Sequence, residues 1–519
     1  MIFLTGFMGS GKTSVSRRLS ELLGRPFIDL DEYISTKFCS TINEIFACVG
    51  ETAFRVLESE ALLEIALRQD DAVVATGGGL PINPGNRALM KACGPVVFLK
   101  TSFESLASRI PEDSGRPLWN ERARSLLNER TPAYEDADFI MDTDGLAPQE
   151  VAQKIFDLSK AFMEPVSVLV RNTPYPVYIG KDFFKDIRKL ISRHIRTEGV
   201  LALVDEKVLR YYDKLIRSSL SGIKHHIISI PSGESSKSYE SLMRVLNEMF
   251  SAQANRQWIC IAMGGGVTGD LAAFASSVYM RGIPVVQVPT TLLALVDSSI
   301  GGKTGIDVKH GKNLVGTFHQ PLFVLSDITF LGTLDEALMK DAMAEVVKYG
   351  IIMDKDLFAY LETTEDPDYE KVVHLCARDK ALIVGRDERE GGLRRILNYG
   401  HTLGHAIELV RNYEMSHGRA VSAGMYFATW LSRELGLIEV KMMEQIFRLI
   451  KKWSYPLQDI SYPLPDDIGT AIIADKKSAQ DGIHFVLTPA IGDATVKKLS
   501  GSQILGAYGR FVRECEEGL

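Results

Sequence analysis

Apolar residues recur through the first 160 positions as short runs separated by stretches with helical spacing. Positions 2–5, 27–29, 72–75 and 95–99 read as strands, since short apolar runs bounded by turn formers suit a sheet covered on both faces. Residues 14–23 carry helical spacing, and 148–162 read as a closing helix. Strand–helix alternation of this kind predicts parallel α/β units. At Glu164-Pro165 the pattern breaks and V-S-V-L-V at 166–170 starts a new strand, so a junction is expected near residue 164 without a long linker. The alternation resumes to about residue 325, with strands expected at 200–204, 258–262 and 285–288. Beyond about 333, helical patterns dominate at 334–352, 370–384, 401–411, 420–435 and 441–453, interrupted by a β-like run at 484–487. The expected fold class is α/β: an α/β/α domain over 1–163, a second α/β domain over 164–328 and a mostly α-helical domain over 329–519.

Length agrees with that division, because 519 residues exceed what one growing core supports. Hydrophobic residues at 45% and charged residues at 24% describe a globular chain. Fifty-nine basic against 66 acidic side chains, a formal charge of −7, leave no global bias toward nucleic acid or an anionic membrane. Six scattered cysteines without a C-x-x-C pair read as free thiols in a reducing compartment. The start M-I-F-L-T-G lacks a basic n-region, and no stretch approaches the ~20 apolar residues of a membrane span. The expectation is a cytoplasmic protein with neither membrane nor nucleic-acid partners.

Two sets of chemical signals lie far apart. Residues 6–13 read G-F-M-G-S-G-K-T, between a predicted strand and a predicted helix. In this pattern the backbone at Gly9, Ser10 and Gly11 turns N–H groups toward phosphates, Lys12 reaches the terminal phosphates and Thr13 gives a hydroxyl to Mg²⁺. Asp29 and Asp31 flank a strand end, where carboxylates can serve Mg²⁺ and a hydroxylated acceptor. Arg55 can pair bidentately with a carboxylate, and Gly77, Gly78 and Gly79 let a ligand approach backbone. S-G-R-P-L at 114–118 suits a lid that carries Arg116.

The second set begins at M-G-G-G-V-T-G-D, residues 263–270, again a glycine run between strand and helix. P-T-T-L at 289–292 and D-S-S-I-G-G-K-T-G at 297–305 follow, and then Lys309, His310, Lys312 and Asn313. Glu345, His401, His405 and His417 are the candidate metal ligands. Catalytic zinc takes three N/O ligands and leaves a position open. Spacing alone points to His401 and His405, which at i and i+4 share a helix face, with a carboxylate third.

Taken in order, the first set resembles shikimate kinase across essentially all of 1–160. The resemblance implies ATP with Mg²⁺ as cofactor, Lys12 and Thr13 at the nucleotide and metal, and Asp29 near the metal. It implies Asp31, Arg55, Gly77, Gly78, Gly79 and Arg130 (in E-R-T-P-A-Y) at shikimate, Arg116 on the lid, Arg109 on adenine, and short acceptor-binding helices around 33–60. Gluconate kinase is the nearest competitor, and the F-R-x-x-E and R-x-P-x-Y pieces argue against it.

Residues 166–519 resemble 3-dehydroquinate synthase along nearly their whole length. P-S-G-E-S-S-K, G-G-G-V-T-G-D, Y-M-R-G, A-E-V-V-K-Y-G, E-G-G-L-R-R-I-L-N-Y-G-H-T-L-G-H-A and M-S-H-G carry the likeness. It implies a Rossmann-like nucleotide-binding domain followed by a helical metal-binding one. Zinc, or another divalent ion such as Co²⁺, falls to Glu345, His401 and His417, with His405 on the substrate side, which overrules the spacing argument. NAD⁺ falls to Asp205, Glu234, Lys237, Gly265, Gly266, Asp270, Thr290, Thr291, Asp297 and Ser298. Substrate contacts fall to Lys303, Lys312, Asn313, Lys348, Lys380, Arg394 and Asn398, with Arg281 at the phosphate from its own or a neighbouring subunit, and the resemblance implies a homodimer. Lys476 or Lys477 is a further phosphate contact, although His484-Phe485 stands where the family has an arginine.

The implied reactions are phosphorylation of shikimate and conversion of 3-deoxy-D-arabino-heptulosonate 7-phosphate to 3-dehydroquinate plus phosphate. An alternative for the second half is a metal-dependent polyol dehydrogenase with net NADH production. The basic cluster Lys303, Lys312, Lys348 and Arg394 favours a phosphorylated substrate instead. A third reading, one half as a dead binding module, conflicts with both complete residue sets.

Overall fold

The computed structural model describes the chain apart from residues 69, 111–118, 120–121, 161, 172, 475–481 and 519. Two compact units form, Met1–Tyr178 with Lys189–Ile195, and Ile179–Arg188 with Arg196–Leu519.

In the first unit, β1 (Ile2–Thr5), β2 (Phe27–Asp29), β3 (Val73–Ala75), β4 (Val96–Lys100) and β5 (Phe139–Asp142) make a parallel sheet ordered β2-β3-β1-β4-β5. Central β1 is buried on both sides, which is why its run Ile2-Phe3-Leu4 has no polar alternation. Val15, Leu19, Val151 and Ile155 fill one face, while Ile34, Phe54, Leu62 and Leu89 fill the other. The expected α/β/α layering is therefore present. The short helices expected near 33–60 are Leu30–Phe38 and Ile42–Arg68, the latter kinked at Gly50 (φ 77°).

The first unit runs past the expected junction at 164. β6 (Val166–Val168) and β7 (Tyr175–Gly180) pair antiparallel, and Ser167 Oγ donates to Ala92 O at 3.0 Å. Arg193 Nε lies 2.6 Å from Asp138 Oδ1, and Lys91 Nζ donates to Arg193 O at 2.8 Å. Asp138 and Arg193 are nearly buried and each is the other's ion-pair partner, while Lys91 pairs with Asp136 Oδ1 at 2.7 Å.

In the second unit, β8 (Gly199–Asp205), β9 (His225–Ile230), β10 (Trp258–Gly264), β11 (Val285–Pro289) and β14 (Phe323–Asp327) are parallel in the order β14-β11-β10-β8-β9. Connections leave β8 toward β9 and return to β10 on its other side, so the order reverses between β8 and β10. A crevice for a ligand opens at the carboxyl ends of strands at such a reversal. The stretch 303–318, for which the sequence pattern marks no strand, forms an antiparallel hairpin of β12 (Lys303–Val308) and β13 (Gly311–Phe318).

The helical body follows, with helices at Glu336–Ile352, Tyr369–Arg386, His401–Val410, His417–Glu434 and Val440–Trp453 close to the expected ranges. A second hairpin, β15 (Ile483–Ala490) and β16 (Asp493–Leu499), contains the β-like run. Tyr349, Tyr399, Trp430, Tyr508 and Phe511 are among the buried aromatics of this core.

One buried carboxylate in it carries a pH dependence. Asp379, 4% exposed on the helix Tyr369–Arg386, accepts from Arg378 at Oδ1, and its Oδ2 has no hydrogen-bond partner among the described residues. Burial and the nearby Asp354 raise its carboxyl to about 7. The folded state then holds a proton that the unfolded state has lost, so stability falls as pH rises from about 4 through 7. Asp379→Asn is expected to raise the melting temperature by several degrees at pH 8 and by less at pH 5, as read by calorimetry. An equal gain at both values would contradict this assignment.

Candidate active sites

The phosphate loop of the first unit follows β1 directly. Gly11 caps the helix Lys12–Leu23 with φ 88°, a left-handed conformation that only glycine adopts without strain. Lys12 Nζ donates to Gly6 O at 2.9 Å and Phe7 O at 3.0 Å, so the ammonium curls over its own loop. Thr13 Oγ1 donates to Asp29 Oδ2 at 2.7 Å. The other Asp29 oxygen accepts from Asp31 N at 3.0 Å and Glu32 N at 3.3 Å, which fixes the carboxylate as the cap of the next helix. Ser10 Oγ is buried with no hydrogen-bond partner among the described residues.

A cleft of about 650 Å³ joins this loop to Asp31, Arg55, Gly78, Gly79, Arg109 and Arg130. Arg55 donates to Glu58 Oε2 at 2.6 Å and to Glu51 Oε1 at 2.9 Å. Burial raises the Glu58 carboxyl, opposed by Arg55. A Cβ on Gly79 would land inside the Arg55 guanidinium, and one on Gly77 would sit 2.9 Å from Asp31 Oδ1, so side chains there would fill the cleft. Arg130 Nη1 reaches Gly78 O at 3.5 Å, and Tyr134 OH donates to that oxygen at 2.5 Å. Arg109 lines the cleft and donates to Thr143 O at 3.2 Å. Arg116 lies outside the described residues. Glu58 and Tyr134 went unassigned in the sequence, although each occupied a quoted piece, F-R-x-x-E and R-x-P-x-Y. The i,i+3 spacing of Arg55 and Glu58 was the available signal.

At the strand-order reversal of the second unit, Asp205 ends β8 and Gly264 ends β10. Asp205 Oδ1 accepts from Ser232 Oγ at 2.7 Å and caps the helix Glu206–Leu220 through Lys207 N at 2.9 Å. Gly265 caps the helix Gly266–Val278, and Thr290 N donates to Gly264 O at 3.0 Å. Thr291 Oγ1 accepts from Ala294 N at 3.3 Å. Ser298 Oγ is buried with no hydrogen-bond partner among the described residues and would lie 3.1 Å from a Cβ on Gly266, so an uncompensated hydroxyl faces the glycine loop. Lys237 and Asp270 pair at 2.5 Å, while Glu234 stands exposed one turn away. An open glycine cradle at a helix N-terminus, an acidic residue at the neighbouring strand end and an orphaned hydroxyl fit a dinucleotide.

Asp297 turns toward the helical body. Its Oδ1 accepts from Tyr349 OH at 2.6 Å and Lys380 Nζ at 2.7 Å. Burial would raise this carboxyl, but Lys380 and Lys348 bring it down to about 2. One turn before Tyr349, Glu345 is 2% exposed; Lys348 stands against its Oε2, and neither oxygen accepts a regular hydrogen bond. His401 Nε2 and His417 Nε2 lie 3.2 and 3.5 Å from Glu345 Oε1. Burial would raise the Glu345 carboxyl, but Lys348 and His401 hold it well below the usual range.

Two imidazoles meeting a buried carboxylate supply three N/O ligand atoms, a set that fits a divalent metal. Glu345, His401 and His417 form one such group, and His405, Glu408 and His417 a second. The i,i+4 neighbour His405 thus stands outside the Glu345 group, 5.3 Å from His401 between ring centroids. Burial and His401 lower its imidazole to about 4.

Around this centre, Arg394 is 3% exposed and donates to Glu388 O at 2.7 Å. Lys303 pairs with Glu390, whose other oxygen accepts from Asn398 Nδ2 at 3.0 Å. Glu390 has φ 61°, a conformation that non-glycine residues seldom keep away from functional sites. On the hairpin, Lys312 Nζ sits 4.2 Å over the Tyr413 ring, and Asn313 N donates to Asp307 Oδ1 at 2.8 Å. Arg281 is exposed in a turn where Met280 and Arg281 both have positive φ. Lys476 and Lys477 lie outside the described residues. Tyr349, Glu390 and Glu408 went unassigned in the sequence, which marks which residues are near in number but not which oxygens meet which nitrogens.

Comparison with known proteins gives matching families for both units. Residues 8–160 match shikimate kinase, 227–341 match 3-dehydroquinate synthase N-terminal and 342–478 match 3-dehydroquinate synthase C-terminal. A 3-dehydroquinate synthase of Thermoanaerobacter pseudethanolicus is 40% identical over 353 residues, covering 66% of this chain and 99% of that protein. Another from Clostridium acetobutylicum is 37% identical over 349 residues, covering 66% and 98%. A crystal structure of 2-deoxy-scyllo-inosose synthase with carbaglucose-6-phosphate, NAD⁺ and Co²⁺ superposes with TM-score 0.60 at 25% identity, covering 66% of this chain and 99% of that one. 2-Epi-5-epi-valiolone synthase from Streptomyces hygroscopicus subsp. jinggangensis, with NAD⁺ and Zn²⁺, gives TM-score 0.60 at 26% identity, covering 66% and 97%. With the buried Glu345–His401–His417 group and the glycine cradle in its second unit, and the phosphate loop in its first, the chain belongs to the 3-dehydroquinate synthase family and carries a shikimate kinase domain ahead of it.

Proposed function

We propose that the chain is a bifunctional enzyme of aromatic amino-acid biosynthesis, with one complete site in each unit. The first phosphorylates shikimate with ATP and Mg²⁺, and the second converts 3-deoxy-D-arabino-heptulosonate 7-phosphate to 3-dehydroquinate and phosphate. The observation that carries the synthase reading is the Glu345 group with Lys348 and Lys380 beside it, since buried cations at a metal centre suit an anionic substrate. Residues 1–163, 164–328 and 329–519 are the proposed functional domains, with Lys189–Ile195 of the second packing into the first compact unit. A homodimer through the synthase half and a cytoplasmic location complete the reading. The six unpaired cysteines support the location, and among the described residues no helix is long and apolar enough to cross a membrane.

In the kinase cleft, Arg55 and Arg130 hold the acceptor's carboxylate, and Asp31 orients the hydroxyl and takes its proton. Glu58 keeps the Arg55 fork aimed into the cleft. Lys12 leaves its loop carbonyls for the terminal phosphates, and Thr13 with Asp29 holds Mg²⁺, so catalysis is mostly positioning and charge stabilisation. Arg109 packs on the nucleotide base, and Arg116 closes from the lid.

In the synthase, Glu345, His401 and His417 hold the divalent metal, and the β8–β10 crevice holds NAD⁺. When bound, the metal would supply Lewis-acid polarisation of a substrate oxygen and NAD⁺ a reversible hydride acceptor. Lys303, Lys312, Asn313, Lys380 and Arg394 bind the anionic groups of the substrate, with Arg281 at the phosphate. Asp297 positions the Lys380 ammonium, and Glu390 positions Lys303 and Asn398, for the substrate. His405 lies on the substrate side of the metal group.

Net redox neutrality separates this reading from a polyol dehydrogenase. Incubated with the heptulosonate phosphate, NAD⁺ and Zn²⁺, the protein is expected to release one phosphate per turnover without a rise in NADH absorbance. Steady NADH accumulation, or release of no phosphate, would overturn the synthase assignment. ADP formation that depends on shikimate tests the other unit in the same preparation.

A further inference from the structure

We infer that Glu408 is a positioning residue for the metal centre: its carboxylate fixes the His417 imidazole so that Nε2 is presented beside Glu345 and His401. The inference rests on the reading that Glu345, His401 and His417 hold the metal.

Glu408 sits near the end of the helix His401–Val410, 7% exposed. A buried carboxylate requires a donor, and the nitrogen that faces it is His417 Nδ1, 3.5 Å from Oε1. The Nε2 of the same ring lies 3.5 Å from Glu345 Oε1. The two nitrogens of His417 are therefore divided between carboxylates on two different helices. His401 shows the same arrangement with another acceptor. Its Nδ1 is 3.1 Å from Tyr399 O, while its Nε2 points at Glu345. A neutral imidazole carries one proton, and an oxygen at Nδ1 holds the proton there and leaves the Nε2 lone pair for a metal.

The backbone does not do this for His417. His417 is the first residue of the helix His417–Glu434, and Ser416 Oγ donates to Asp341 Oδ1 at 2.7 Å. Those contacts fix where the helix begins but leave the ring free to turn about its side-chain bonds. Tyr399 O does for His401 locally what Glu408 does for His417 from the next helix. Glu408 and His417 also form a group with His405, whose ligand atoms lie within 4.8 Å of one another. If that group held a second ion, His417 Nδ1 would be a ligand and could not donate to Glu408, so the two uses exclude each other.

The test uses the full chain, stripped of metal and titrated with Zn²⁺ against a chromophoric chelator. Glu408→Ala is expected to weaken Zn²⁺ binding about 10- to 100-fold at a stoichiometry of one per chain. Glu408→Gln keeps an oxygen for the Nδ1 proton and is expected to recover most of the loss. Shikimate-dependent ADP formation and the melting temperature of the metal-free protein are expected to stay unchanged in both variants. Wild-type affinity in Glu408→Ala, no recovery in Glu408→Gln, or a second Zn²⁺ lost on removing Glu408 would each overturn the inference. His401→Ala separates this from the underlying reading. If His401→Ala keeps its Zn²⁺, the metal assignment itself fails; if it loses Zn²⁺ while Glu408→Ala does not, only the role of Glu408 fails.

Discussion

Lys12→Ala is expected to reduce shikimate-dependent ADP formation by about 10²- to 10³-fold, or to background, and to leave phosphate release from the heptulosonate phosphate unchanged. The Lys12 ammonium donates to Gly6 O and Phe7 O. Those carbonyls compete poorly with phosphate oxygens, because an ammonium bonds more strongly to an anion than to a neutral acceptor. Alanine retains the glycine turn and the helix start, so the nucleotide still meets backbone N–H groups. What is lost is the charge that follows the transferring phosphoryl group. Coupled assays of both activities on one preparation provide the check. Loss of both activities in a protein that still melts cooperatively would mean that the two sites are not separate.

His401→Ala is expected to act oppositely, with a synthase loss on the order of 10³-fold and an undisturbed kinase. Glu345 would then keep Lys348 and His417 as neighbours and lose the nitrogen nearest its Oε1. A three-ligand site reduced to two loses metal as well as turnover, so metal content after desalting is expected to fall below one equivalent per chain. Measuring that content by mass spectrometry separates a metal defect from a purely chemical one. A variant with full metal content and normal phosphate release would remove His401 from the ligand set.

The strands were legible where burial on both faces left nothing but apolar residues, as in β1, β8, β10 and β11. The hairpin 303–318 was not. Its residues are glycine-, lysine- and threonine-rich, and Leu314, Val315 and Phe318 remain exposed, so no alternation marks an inner face. The phosphate loop and the glycine cradle were legible because backbone geometry writes glycine into consecutive positions. The metal centre was legible only in part. Helical spacing favours His405 as the partner of His401, while the fold brings in His417 through the packing of two helices. Gly404 would place a Cβ 3.1 Å from Ala420 O, and a Cβ on Gly424 would overlap the Gly400 backbone. Small residues on two helices set that approach, and periodicity within one helix does not encode it. Glu58, Tyr349, Glu390 and Glu408 share this limitation, since a buried carboxylate or phenol is identified by the donor or acceptor the fold brings to it.

The ion pair of Arg193 with Asp138 bears on the order in which the protein is made. A growing chain emerges from the ribosome at roughly 5–20 residues per second, and its first domain generally folds first. Here the first unit cannot close when residue 164 emerges, because Lys189–Ile195 belongs to it. Until that segment arrives, the nearly buried Asp138 lacks its guanidinium and Lys91 lacks the Arg193 carbonyl. The interval of some 30 residues corresponds to about 2 to 6 seconds of synthesis, during which the nascent kinase exposes a carboxylate and an ammonium destined for its interior.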